Sequence, residues 1–145
     1  DIKPANLLLT GDGQVKIADF GLAKQHDAAA LGFTKSSMAV GTPDYLAPEA
    51  WTPGTALDGR ADLFAAGVVL YQMLTGQVPR GLWPLASEVA GTDTRFDAVI
   101  DKAVQPERDA RYATAAEMIA ELEAIRITPE DWYRVWEASM GHGVA

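Results

Sequence analysis

Three polar side chains stand within the first six residues of the chain: the carboxylate of Asp1, the ammonium of Lys3 and the carboxamide of Asn6. A further carboxylate, Asp19, comes directly after residues 14–18, which alternate between polar and apolar. Carboxylate and amide oxygens suit Mg²⁺, which takes one or two carboxylates together with phosphate and water. A lysine ammonium adds positive charge where a migrating phosphoryl group needs it. These residue types predict a site for a divalent metal ion and phosphate.

A β-hairpin is expected to bring these side chains together. Residues 6–10 form an apolar run, a Gly-Asp-Gly turn follows at residues 11–13, and residues 14–18 alternate between polar and apolar. Antiparallel strands lie side by side, so the two ends of a hairpin return close to each other. The sequence therefore predicts that Asp1, Asn6 and Asp19 converge on one small volume.

The rest of the chain is predicted to be a long loop followed by helices. Residues 19–48 have no periodicity, which is typical of a functional loop. Residues 61–75 are apolar on nearly every side and stop at Gly76, which predicts a fully buried helix with a glycine cap. A Gly/Pro-rich loop is expected at residues 77–92, and a helix with one apolar face from Phe96 onward. The predicted fold class is α+β, mainly α: a short β-hairpin, a long loop and a helical bundle.

A capping box opens the next predicted helix. Thr114 and Glu117 have the required spacing, and the apolar positions that follow are expected to form its inner face. Those inner positions are Met118, Ile119, Leu122 and Ile125.

Five motifs, in order along the chain, resemble those of eukaryotic-type protein kinases. They are D-x-K-P-x-N at residues 1–6, D-F-G at 19–21, G-T-P-x-Y-x-A-P-E at 41–49, D-x-x-x-x-G at 62–67 and Arg-Tyr at 111–112. Each motif alone is weak. A common residue occupies a given position only about 5–7% of the time, however, and over ten such letters fall into order, which excludes coincidence. The chain is similar to serine/threonine protein kinases, with a C-terminal half in the style of bacterial members.

The resemblance implies specific roles at the predicted site. Asp1 would accept or orient the proton of the substrate hydroxyl, and Lys3 would neutralise the transferring phosphate. Asn6 and Asp19 would hold Mg²⁺ ions that bridge the phosphates of ATP. The implied catalytic residues are Asp1 and Lys3, and the implied ATP-binding set is Lys3, Asn6, Leu8, Ala18 and Asp19, with Leu8 under the adenine ring.

Other residues receive structural roles from the same resemblance. Phe20 would set the active and inactive states, and Gly21 would let the loop swing. Asp62 would hold the catalytic loop from the buried helix. Glu49 and Arg111 would form a buried ion pair.

The activation segment and the acceptor also follow from the resemblance. The lysine of D-x-K and Thr42 before the proline are typical of serine/threonine kinases, so the expected partner is a protein substrate with a Ser or Thr acceptor. Thr34, Ser36 and Ser37 lie in the long loop beside Lys35 and are candidate autophosphorylation sites.

The resemblance covers only part of a kinase domain. The sequence contains no G-x-G-x-x-G loop and no counterpart of the strand lysine, so we interpret residues 1–127 as the C-terminal lobe, starting at the catalytic Asp and lacking the N-lobe. Residues 128–145 are predicted to be a helical tail. The intact parent protein is expected to be an ATP-dependent kinase, with the missing N-lobe as its partner in cis, and the isolated fragment is expected to be inactive.

Composition excludes several other functions. The chain has no cysteine, which excludes disulfides, thiol catalysis and cysteine-based zinc sites. A net charge of −8 gives no electrostatic basis for binding nucleic acid or an anionic membrane. The longest apolar run, residues 63–71, is far shorter than the roughly 20 residues of a membrane span. We therefore expect a cytoplasmic protein with no nucleic-acid partner and no membrane contact from this segment.

Two alternatives stay open at this stage. A non-catalytic, kinase-like scaffold or remnant would account for the absent N-lobe but would not need the acidic residues of the site. A small-molecule phosphotransferase of the same general fold is a more distant alternative, because such enzymes typically lack the D-x-K, D-F-G and A-P-E motifs found here.

Overall fold

The computed structural model describes residues 2–18 and 43–125. Within these residues, the chain forms a two-stranded antiparallel sheet followed by four α-helices. The elements are β1 (Leu7–Leu9), β2 (Val15–Ile17), α1 (Gly59–Thr75), α2 (Ala86–Ala90), α3 (Arg95–Ala103) and α4 (Ala115–Ala124). The order agrees with the predicted class, α+β and mainly α. The predicted tail at residues 128–145 lies outside the described residues.

The hairpin forms as predicted but with shorter strands. Leu7 pairs with Ile17, Leu8 with Lys16 and Leu9 with Val15. Its turn is closed by the Thr10 amide, which donates to the carbonyl of Gln14 over 2.8 Å. Leu9 and Val15 are largely exposed, so the hairpin contributes little apolar area to the helical core.

Helix α1 forms because its long apolar stretch is capped at both ends. The Asp58 carboxylate accepts a hydrogen bond from the Arg60 amide at 2.9 Å, which satisfies a free N–H of the first turn. Gly76 ends the helix in the left-handed conformation with φ 72°, which glycine adopts without strain. The apolar run predicts a helix that is buried on every side. The structure differs, because Asp62 and Met73 are exposed.

The core lies where α1 crosses α3, with α2 and α4 packed around it. Gly67 permits this close approach: a Cβ atom there would stand 2.7 Å from Ala103 Cβ and 2.9 Å from Val104 Cγ1. The largest fully buried side chain is Tyr112, whose hydroxyl donates to Glu121 Oε2 at 2.5 Å. Lys102 Nζ lies 4.1 Å from the centre of the same ring, so α3 and α4 are joined through Tyr112.

Two details differ from the sequence predictions. The predicted loop at residues 77–92 contains helix α2, whose Ala86 is buried and whose Ser87 donates from its amide to Asp97 Oδ1. In α4, the Thr114 hydroxyl caps the Glu117 amide as expected. Ile119, which was expected on the inner face, is 51% exposed, because the short helix buries the neighbouring Met118 instead.

Candidate active site

The first part of the site is the tight turn that leads into β1. Pro4 starts a 3₁₀ turn, Pro4–Asn6, and the Asn6 amide donates to the Lys3 carbonyl at 2.9 Å. Proline suits this position because its φ angle is preset and its missing N–H would have no partner there. Asn6 is 7% exposed, which is unusual burial for a carboxamide, while Lys3 is half-buried.

The second part of the site arrives at the other end of the hairpin. The amide of Ala18 donates to the carbonyl of Asn6 over 2.7 Å, one step beyond the paired strands. Residues 6 and 18 are therefore in direct backbone contact, and Asp19 is the next residue along the chain. Asp1 and Asp19 themselves lie outside the described residues, as do Phe20 and Gly21.

Leu8, the predicted adenine-contacting residue, is 55% exposed in the middle of β1. An exposed leucine next to the buried Asn6 is an apolar surface that a planar ring could cover.

Asp62 lies in the first turn of α1 and is exposed. Its predicted role, holding the catalytic loop, stays a prediction. Thr34, Ser36, Ser37 and Thr42, the predicted residues of the activation segment, lie outside the described residues.

The expected ion pair between Glu49 and Arg111 is present. Arg111 Nη1 and Nη2 donate to the two Glu49 carboxylate oxygens at 2.8 Å and 2.7 Å. The Arg111 side chain has no exposed surface, and that of Glu49 is 11% exposed. The hydrogen bonds from Arg111, together with its charge, lower the pKa of Glu49 below its ordinary value, although burial opposes the shift.

The remaining donors of Arg111 are also satisfied. Its Nε donates to the Gln105 carbonyl at 2.7 Å, and its two terminal nitrogens reach the carbonyls of Arg60 and Pro106. The guanidinium also lies 5.0 Å from the centre of the Phe64 ring. The pair thus ties the segment that contains Glu49 to α1 and to the chain after α3.

Two further contacts, which the sequence analysis missed, hold the same segment. Arg80 forms a two-pronged ion pair with Asp44, and the Tyr45 hydroxyl donates to Gln72 Oε1 at 2.6 Å. No local signal predicts either contact, because the partners are separated by 36 and 27 residues respectively. The only hint was a charged residue, Arg80, within a loop rich in Gly and Pro.

The family model described as the protein kinase domain matches residues 1–124. The chain belongs to this family. The probable serine/threonine-protein kinase PknB of Bifidobacterium longum is 39% identical to this chain over 132 residues. That alignment covers 81% of this chain and 19% of the relative. The serine/threonine-protein kinase PknB of Mycobacterium tuberculosis is 34% identical over 137 residues, with 84% of this chain and 22% of the relative covered.

Solved kinase structures agree with this membership. The crystal structure of the Mycobacterium tuberculosis PknI kinase domain matches with a TM-score of 0.62 and 28% identity, covering 86% of this chain and 45% of that chain. This protein kinase segment therefore spans about a fifth of the length of the curated relatives it matches and less than half of a solved kinase domain.

No helix within residues 2–18 and 43–125 combines the length and the hydropathy needed to cross a bilayer.

Proposed function

We propose that the protein to which this chain belongs transfers the γ-phosphate of ATP to Ser or Thr hydroxyls of protein substrates. The family membership supports phosphotransfer to protein, and the names of the relatives support Ser/Thr as the acceptor class. A cytoplasmic location stays a prediction.

One observation carries the proposal: the hydrogen bond of 2.7 Å between the Ala18 amide and the Asn6 carbonyl. This bond joins the two ends of the hairpin and places the chain position before Asp19 against Asn6. Asn6 and Asp19 are thirteen positions apart in the sequence. The residue before Asp19, Ala18, is nevertheless hydrogen-bonded to Asn6. Such a fixed junction is what a charge-neutralising site requires.

The donor set at this junction fits Mg²⁺ and nucleotide phosphate. Asn6 supplies an amide oxygen and Asp19 a carboxylate, and both are hard oxygen ligands. When bound, Mg²⁺ would bridge the phosphates of ATP and offset their negative charge. Lys3 would hold the transferring phosphate, Leu8 and Ala18 would contact the nucleotide, and Asp1 would take the proton of the acceptor hydroxyl.

The surrounding residues would support this chemistry. In the proposal, Phe20 and Gly21 set the position of the loop that carries Asp19, and Asp62 holds the catalytic loop. Thr42 marks the acceptor class, and Thr34, Ser36 and Ser37 remain candidate autophosphorylation sites within the same loop.

The test uses the whole protein with labelled ATP and Mg²⁺, offered a protein substrate and a set of small-molecule alcohols in parallel. We expect label on Ser or Thr of the protein and none on the small molecules. Asp19→Ala should abolish transfer, because it removes a carboxylate ligand of the metal ion.

Asp12→Ala is the matched control. Asp12 lies in the turn at the opposite end of the same hairpin and is exposed, so its loss removes an equal charge without touching the junction. Transfer by Asp12→Ala should resemble the wild type. Full transfer by Asp19→Ala, or label on sugars or other alcohols in preference to protein, contradicts the proposal.

A further inference from the structure

The ion pair between Asp44 and Arg80 joins the turn Pro43–Tyr45 to the loop that follows α1. Arg80 Nε lies 3.0 Å from Asp44 Oδ1, and Nη2 lies 2.7 Å from Oδ2, so the planar guanidinium engages both carboxylate oxygens. The Asp44 side chain is 13% exposed and that of Arg80 is 71% exposed. The Asp44 carboxylate is therefore largely buried, and the Arg80 guanidinium lies on its solvent side.

Asp44 belongs to the segment that ends the predicted activation loop. It lies in the 3₁₀ turn Pro43–Tyr45, two residues after Thr42. Along residues 43–51, three side chains contact later parts of the chain: Asp44 binds Arg80 in the loop after α1, Tyr45 binds Gln72 of α1, and Glu49 binds Arg111. Of these three contacts, the one made by Asp44 is nearest in sequence to Thr42. Thr42 is one of the residues from which the Ser/Thr acceptor class is inferred.

We infer that Arg80 is a positioning residue for the protein substrate: its two-pronged bond to Asp44 holds the end of the activation segment in the conformation that receives the acceptor peptide. The inference rests on the proposed kinase function. It assigns Arg80 to binding of the protein substrate and not to binding of ATP or to the transfer step.

The geometry favours positioning over a role in global stability. Arg80 lies on the solvent side of the pair, so its loss opens the Asp44 carboxylate to water, and we expect only a small change in the free energy of unfolding. A two-pronged pair nevertheless fixes orientation, because both oxygens of the acid are held by one rigid plane. If the segment spends less time in its binding conformation, the apparent affinity for substrate falls by the same fraction.

A depression in the surface lies next to the pair. Asp44 lines a depression of about 220 Å³ together with Pro79 and Gly81, the two neighbours of Arg80, and with Trp83. Moving the Asp44 turn would change the wall of this depression as well as the backbone that leads to Thr42. The hydrogen bond from Arg80 and its charge lower the pKa of Asp44, so the carboxylate is ionised at neutral pH.

The test measures steady-state kinetics of the whole protein with varied protein substrate and, separately, varied ATP. For Arg80→Ala and for Asp44→Asn, we expect KM for the protein substrate to rise about three- to tenfold. KM for ATP and kcat should stay within about twofold, and the thermal midpoint should stay near that of the wild type. Arg80→Lys, which keeps the charge but loses the fork, should fall between Arg80→Ala and the wild type.

Two further variants make the result specific. The exchanged pair Asp44→Arg with Arg80→Asp should return KM for the protein substrate toward the wild-type value. Arg95→Ala is the matched control, because Arg95 makes a similar two-pronged, exposed pair with Asp93 at the start of α3. It should leave KM unchanged.

The outcomes separate this inference from the proposed function. An unchanged KM for the protein substrate in Arg80→Ala and Asp44→Asn overturns the inference, as does an equal change in Arg95→Ala. A KM change that appears in Arg80→Ala, Arg80→Lys and Asp44→Asn only together with a lowered thermal midpoint also overturns it. Absence of phosphate transfer in the wild type contradicts the proposed function itself.

Discussion

Arg111 shows how a single buried charge can hold a loop against a helical core. Its five N–H donors reach five acceptors, two on Glu49 and three on backbone carbonyls, so the desolvated guanidinium has no missing hydrogen bond. Removal of either partner leaves the other charge or its donors without compensation in a site that excludes water.

Glu49→Gln should therefore be strongly destabilising. It leaves the Arg111 cation buried without its counter-charge, and the expected loss in the free energy of unfolding is about 3–5 kcal/mol. Equilibrium unfolding in urea measures this loss. Arg95→Ala, which removes an exposed ion pair, should cost less than about 1 kcal/mol in the same assay. If Glu49→Gln and Arg95→Ala lowered the free energy of unfolding equally, burial would not account for the strength of the ion pair between Glu49 and Arg111.

The depressed pKa of Glu49 also predicts a dependence on pH. Because the folded pKa lies below the unfolded one, the unfolded chain binds the proton first as the pH falls. The stabilisation is present above the unfolded pKa, about 4.3, and is lost as the pH falls through the folded value. Urea midpoints should thus decline below about pH 4.3, and the decline should be smaller in Glu49→Gln. Parallel pH profiles for the two proteins would contradict the assignment.

At the scale of elements, the crossing of α1 and α3 depends on one missing side chain. Gly67 lies in the middle of α1, where glycine is unfavourable for a helix, yet any Cβ there would overlap Ala103 and Val104. Close packing is thus obtained at the expense of helix propensity.

Gly67→Ala should destabilise the protein by about 1–2 kcal/mol, since overpacking costs about 1–3 kcal/mol and the alanine recovers up to about 1 kcal/mol of helix propensity. Gly59→Ala is the matched control on the same helix, because a Cβ at Gly59 meets nothing within 4 Å. It should be neutral or slightly stabilising. Urea unfolding compares them, and an equal effect of both variants would contradict the packing argument.

The elements differ in how far the sequence predicts them. Helix α1 and its Gly76 cap follow from local residues, because a long apolar run and a glycine at its end suffice. Helix α2 could not be predicted, because five residues are too few to show a period and its Ser87 is held by Asp97, ten residues away. The contact between Asp44 and Arg80 is missed for the same physical reason: it depends on the tertiary fold.

At the site, the sequence predicts the junction of the hairpin but not its surroundings. The Gly-Asp-Gly turn and the strand pattern are local signals, and they suffice to bring residue 18 against Asn6. The exposure of Leu8 and of Asp62 depends on which other elements pack nearby, and local pattern carries no information about that.

At the scale of the whole molecule, the aligned 86% of this 145-residue chain covers 45% of a solved kinase domain. Within residues 2–18 and 43–125, Leu8 is exposed on one face of the hairpin and Leu9 and Val15 on the other, so the nucleotide would meet an open apolar surface at Leu8. A binding site with one wall buries little of its ligand. The affinity for the nucleotide is then low, and water is not excluded from the phosphates.

We therefore predict that the isolated 145-residue chain does not turn over ATP, whereas the whole protein does. Release of labelled phosphate and transfer to protein, both measured at equal concentrations of the two proteins, provide the comparison. Transfer by the isolated chain at a rate near that of the whole protein would contradict this prediction.

In the proposed function, the beginning of this chain and the far end of its hairpin form a phosphotransfer site. The most direct measurement is kcat for phosphate transfer by the whole protein carrying Asp1→Asn, which keeps the size of the side chain but removes its basicity. We expect kcat to fall about 100-fold or more, with the thermal midpoint unchanged. A kcat near that of the wild type would contradict it.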